Sequence, residues 1–160
     1  MSETSPSSSA EVIARYILEQ SPPHRMSAMK LQKLLYYCEA WSLAWDDRDI
    51  IGEPIEAWSE GPVVRSVWEK TNPAYEVSSG EFTGDLSALD SKAHATIRSV
   101  LKFYGERSDG DLGDMIEVEE PWRRARGNHP SDALIPAATI DPEVMKEYYR
   151  KLGGRTDVPV

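Results

Sequence analysis

Between Ser27 and Trp45 the apolar residues return every three or four positions. Leu31, Leu34, Leu35, Cys38, Trp41, Ser42 and Trp45 fall on one helical face, and Tyr37, Ala40 and Ala44 form a narrower stripe beside it. Together the stripes leave mainly Lys30, Lys33 and Glu39 for water. A helix apolar over that much of its circumference is expected at the centre of the fold, packed on more than one side. Ser27 is placed to cap the first turn, and Met26 and Leu31 stand where a hydrophobic staple fixes the entry.

The period then changes. Asp46-Asp47-Arg48-Asp49 and Gly52-Glu53-Pro54 read as polar turns, with strand character in Ile50-Ile51 and in Ile55-Glu56-Ala57-Trp58. Glu60-Gly61-Pro62 turns again, and Pro62 is placed to open a helix whose apolar face is Val63, Val64, Val67 and Trp68. Upstream, Ser8 and Glu11 form a capping-box pattern ahead of Val12, Ile13, Tyr16 and Ile17, and Ser21-Pro22-Pro23 ends that helix. From Thr71 to Ser87 the chain reads as loop, anchored only by Tyr75 and Phe82. Helical period resumes over Leu89, Ala93, Ile97, Val100, Leu101 and Tyr104, with Gly105 as its stop.

Ser108 and Asp111 suggest a further capping box, with Leu112, Met115, Ile116 and Glu119 sharing a face until Pro121-Trp122 breaks it. Residues 127–139 read as a second loop. Asp141-Pro142-Glu143 opens a last helix packed by Val144, Met145, Tyr148 and Tyr149, which Gly153-Gly154 ends. The expected fold is mainly α: a single compact domain over 10–152, with five or six helices around the Ser27–Trp45 helix. A small two-stranded element from Ile50 to Trp58 should lean on the helices, because an isolated ribbon is marginal. The Ser-rich residues 1–9 and residues 153–160 read as disordered tails.

Lys30-Leu31-Gln32-Lys33-Leu34-Leu35-Tyr36-Tyr37 with Trp41, then Pro54-Ile55-Glu56-Ala57-Trp58 and Gly61-Pro62-Val63-Val64, follow in the order and spacing of a known pattern. Tyr104-Gly105, and Glu119-Glu120-Pro121-Trp122 with Ala125-Arg126, supply later landmarks. The chain resembles the SocA-like antitoxins, bacterial proteins that share the Panacea domain and include the phage-associated GepA proteins; the likeness runs from about Val12 to Tyr149. The resemblance implies a cognate toxin encoded alongside. For some members it also implies an adaptor role that hands the toxin to a AAA+ protease such as ClpXP. Two positions depart from the pattern. Arg65 stands where Gly-Pro-Val-Val is expected to continue with proline, and Glu117 where a histidine is expected, so no role of that histidine carries over.

At 160 residues the chain is long enough for one real core. Its formal charge of −9 argues against a protein that lives on phosphate backbones, which needs a basic face. Cys38 is the only cysteine, so no intrachain disulfide forms, and a lone thiol suits a reducing cytosol. The N-terminal stretch lacks the apolar core of a signal peptide, and no apolar run reaches membrane-span length. A soluble cytoplasmic protein without a membrane partner is expected.

Few residues suggest chemistry. His24, His94 and His129 are scattered, no Cys/His spacing fits a metal, and the glycines lack phosphate-loop spacing. No catalytic residue, metal or cofactor is therefore expected, and Cys38 reads as a small buried hydrophobe with the core set Leu31, Leu34, Leu35, Trp41, Trp45 and Trp58. Between Glu106 and Glu120, Glu106, Asp109, Asp111, Asp114, Glu117, Glu119 and Glu120 face only Arg107. Carboxylates from Asp109 to Glu120 would serve a hydrolase if they converged with raised pKa values. An autoregulatory DNA-binding repressor is a further alternative, opposed by the lack of a basic recognition helix. For protein partners, tryptophan and arginine dominate binding hot spots. Trp122 with Arg123, Arg124 and Arg126, and Trp68 with Arg65, are the clusters that core packing explains least.

Overall fold

The computed structural model describes residues 9–71, 75–127 and 138–153. Among these there are seven α-helices, six of them arranged around the central α2: α1 (Ser9–Glu19), α2 (Ala28–Asp46), α3 (Arg65–Thr71), α4 (Ser91–Tyr104), α5 (Asp109–Val118), α6 (Glu120–Ala125) and α7 (Pro142–Leu152). Helix α1 begins at Ser9, the last residue assigned to the tail from sequence. Helix α6 is the one not expected. Pro121, read as a breaker, sits in its first turn, where a missing N–H costs nothing.

Helix α2 packs against α7, α4, α1 and α5, and Leu31, Leu34, Leu35, Tyr36, Tyr37, Cys38, Ala40 and Trp41 have no exposure at all. Ser27 caps it as expected, its hydroxyl accepting from the Lys30 N–H at 3.0 Å. Asp47 ends it at φ 55°, a left-handed position that a short polar side chain tolerates.

Of the three residues expected to face water, Lys30 is half-buried and Lys33 and Glu39 are buried, as is Gln32 beside them. Each of the buried three is spent on a distant element. Gln32 accepts from the Val64 N–H at 2.7 Å and donates to the Val64 carbonyl at 3.3 Å, so its amide serves as a strand neighbour. Lys33 pairs with Asp109 at the start of α5. Glu39 accepts from the N–H groups of Ile50 and Ile51, each at 3.0 Å.

That last pair corrects the strand assignment. With their N–H groups committed to Glu39, Ile50 and Ile51 form no strand. Naming the strands in chain order, β1 is Arg25–Ser27, β2 is Ile55–Trp58, β3 is Gly61–Val64, β4 is Glu76–Ser78 and β5 is Ala138–Thr139. Strand β2 forms a hairpin with β3, antiparallel, with Ile55 opposite Val64 and Trp58 opposite Gly61. Pro62 lies inside β3, and the helix expected there starts later, at Arg65. Strand β5 pairs with the other side of β2, giving a three-stranded sheet of order β3-β2-β5. Strand β4 rises from the segment read as loop and pairs with β1, burying Met26 opposite Val77. Of the two anchors expected there, Phe82 is buried and Tyr75 is exposed.

Ser8, the expected capping partner of Glu11, lies outside the described residues. The Glu11 carboxylate takes the Thr83 N–H at 2.8 Å and Lys70 at 2.9 Å, tying α1 to α3 and to the segment after β4.

Candidate functional site

Glu119 sits at the break between α5 and α6, where the chain leaves helical geometry for one residue. Its side chain enters the core. One oxygen, Oε1, accepts from the Tyr37 hydroxyl of α2 at 2.9 Å and the Tyr149 hydroxyl of α7 at 2.6 Å. Tyr36 in turn donates to Tyr149 at 3.0 Å, Trp41 Nε1 donates to the Tyr104 hydroxyl at 3.0 Å, and Tyr37 stacks on Tyr104 at 3.9 Å. Burial pushes the Glu119 carboxyl up to about 7, against the pull of its two tyrosine donors. Burial also holds Tyr36, Tyr37 and Tyr149 well above the usual phenol range. The network joins three helices. The rest of the acidic segment does not gather around it: Asp109 is paired to Lys33, Glu120 to Arg124, and Asp111 and Asp114 face outward.

A second buried carboxyl borders a cleft of about 300 Å³ between the turn before β2 and the start of α7, where Asp49, Glu53, Pro54, Ile55 and Met145 line the walls. Glu39 reaches it from α2. Burial first, then the adjoining Asp49 carboxyl, raise Glu39 to about 8. Glu53 is occupied by the Ser66 N–H and hydroxyl, the latter at 2.7 Å. Among the described residues no three His, Cys, Asp or Glu side chains are grouped to hold a metal ion. Cys38 is fully buried and its thiol is pushed far up by burial. His24 meets the Leu18 carbonyl, His94 packs edge-on against Tyr16, and His129 lies outside the described residues.

The residues expected to contact a partner separate into three groups. Trp122 and Arg126 are each only 2 % exposed, which corrects their reading as residues that core packing explains least. Because α6 begins at Glu120, positions 122 and 126 share its inner face. There the Arg126 guanidinium lies 5.3 Å over the Trp122 ring and donates to the Ala57 carbonyl of β2. Arg123 and Arg124 point outward, to the Val118 carbonyl and Glu120. Trp68 and Arg65 form the third group, and Trp58 joins them.

Trp58 was expected in the core, but β2 alternates: Ile55 and Ala57 face in, Glu56 and Trp58 out. Trp58 therefore meets Trp68 of α3 edge-to-face, with ring centres 5.5 Å apart. Arg65, 54 % exposed at its side chain, stacks 5.5 Å over Trp58 and donates to Glu56 at 2.8 Å. Trp58 Nε1 donates to the same Glu56 oxygen at 2.8 Å. These two donors hold Glu56 below the usual carboxylate range. Trp45, also expected in the core, is 36 % exposed at the end of α2 and leans on Trp41. The period-two pattern of β2 is the signal that could have placed Trp58 outside. None of comparable kind marks Glu39, whose partners lie in a later turn.

Among the described residues no helix is long and apolar enough to cross a membrane. The family model described as antitoxin SocA-like, Panacea domain, matches residues 31–123, more than half of the chain. That stretch runs from the first core leucine of α2 to the middle of α6 and includes the β2–β3 hairpin and Glu119. No curated protein and no solved structure matches.

Proposed function

The chain belongs to the SocA-like antitoxin family with its Panacea domain, and we propose that it neutralises a cognate toxin protein by direct contact, acting as a binding protein rather than a catalyst. The family match carries this reading, since an antitoxin implies a toxin. The site geometry agrees with it. The two most perturbed carboxyls, Glu39 and Glu119, are committed to backbone and tyrosine donors inside the fold. The ordered tryptophan–arginine corner, by contrast, lies at the surface, where hot-spot residues act.

The test is to co-purify the chain with the product of the adjoining reading frame. A stoichiometric complex supports the proposal, and separate elution of the two folded proteins refutes it. Delivery to a AAA+ protease such as ClpXP is the finer step of the same proposal. A pulse-chase of the toxin, with and without active protease, separates it from sequestration. Delivery shortens the toxin's lifetime only where the protease is active, whereas sequestration leaves the lifetime unchanged.

A further inference from the structure

Resting on the antitoxin reading, we infer that the corner formed by Trp58, Arg65 and Trp68 is the surface on which the toxin docks, and that it receives a basic segment of that toxin. The fold buries tryptophan completely where packing requires it, as at Trp41 and Trp122. At this corner two tryptophans instead remain partly exposed, side by side. They are not loose. Glu56 holds Trp58 from one side through Nε1, and the Arg65 guanidinium covers it from another. Side chains already fixed in place lose little rotamer freedom when a partner arrives, and polar atoms already paired leave no orphan when covered.

The partner's sign follows from the remaining charges. Glu56 neutralises Arg65, and Lys70 is taken by Glu11 on α1. That leaves exposed Glu60 at the tip of the β2–β3 hairpin and exposed Glu69 one turn beyond Arg65. The corner's balance is negative, like the whole chain at −9. An acidic rim around an aromatic pair repels acidic partners and attracts lysine or arginine. Such a side chain can lie on the Trp68 ring as Arg65 lies on Trp58.

The experiment is a calorimetric titration of the purified chain with the purified product of the adjoining reading frame. Trp68→Ala is expected to weaken binding about tenfold or more. Glu60→Lys/Glu69→Lys, at exposed positions that do not threaten folding, is expected to weaken it severalfold and reduce its salt dependence. Arg123→Ala/Arg124→Ala on α6 should bind as wild type. Wild-type affinity in both a folded Trp68→Ala and the charge-reversed variant overturns the docking surface while leaving the antitoxin reading intact. So does a wild-type self-association that Trp68→Ala abolishes without changing toxin affinity, because the occupant is then a second copy of the chain. Failure of the wild-type protein to bind overturns the antitoxin reading itself, and this inference with it.

Discussion

Tyr149 donates its hydroxyl to Glu119 across 2.6 Å, so the last helix is fastened to the α5–α6 break by a carboxylate inside the core. Glu119 takes up its proton more readily folded, near 7, than at its ordinary value of 4.5. Its contribution to stability is thus fully present below about pH 4.5 and is lost as pH rises toward 7. Glu39, raised to about 8, acts in the same direction over a slightly wider window.

Thermal melts should therefore show stability falling between pH 5 and pH 8. Glu119→Gln, which stays neutral, should remove about 3 kcal/mol of that pH dependence. Parallel wild-type and variant curves would show that Glu119 is not the group titrating.

Leu35 is fully buried on the face of α2 that packs the core. Leu35→Ala should cost about 2–5 kcal/mol in denaturant unfolding, through lost burial and the cavity left behind. A near-neutral result would remove α2 from the centre of the fold.

Gln32 pairs with both backbone groups of Val64. Gln32→Leu keeps the volume but strands a buried N–H and carbonyl, at a cost of about 1–3 kcal/mol. Hydrogen exchange should report it locally, with the Val64 amide losing protection while the centre of α2 keeps its own.

Gly61 begins β3 at φ +136°, and a Cβ there would stand 3.0 Å from the Lys33 side chain. Gly61→Ala should destabilise by about 1–3 kcal/mol, mostly from backbone strain. Gly80→Ala, where the new methyl meets no atom within 4 Å beyond its own residue and its two chain neighbours, should melt within about 0.5 kcal/mol of wild type.

The central helix was legible because its apolar period is long and regular, and its start because Ser27 is a local capping signal. What local pattern could not show were partnerships across the chain. Lys33 and Glu39 look like solvent residues beside their neighbours, and only the fold brings Asp109 and the Ile50–Ile51 N–H groups to them. Arginine near a tryptophan reads as surface, yet Arg126 is drawn inward because α6 starts one residue before Pro121 and the Ala57 carbonyl waits for it. At Trp58 the information was present in the alternation of β2, but the residue's size argued for the core more loudly than its register argued for the surface.

Growth rescue tests the antitoxin account most directly. The product of the adjoining reading frame is induced in a host that lacks both proteins, with and without this chain. Neutralisation predicts arrested growth on induction alone, and recovery when the chain is co-expressed. Arrest that persists despite folded, soluble chain at comparable levels would contradict it.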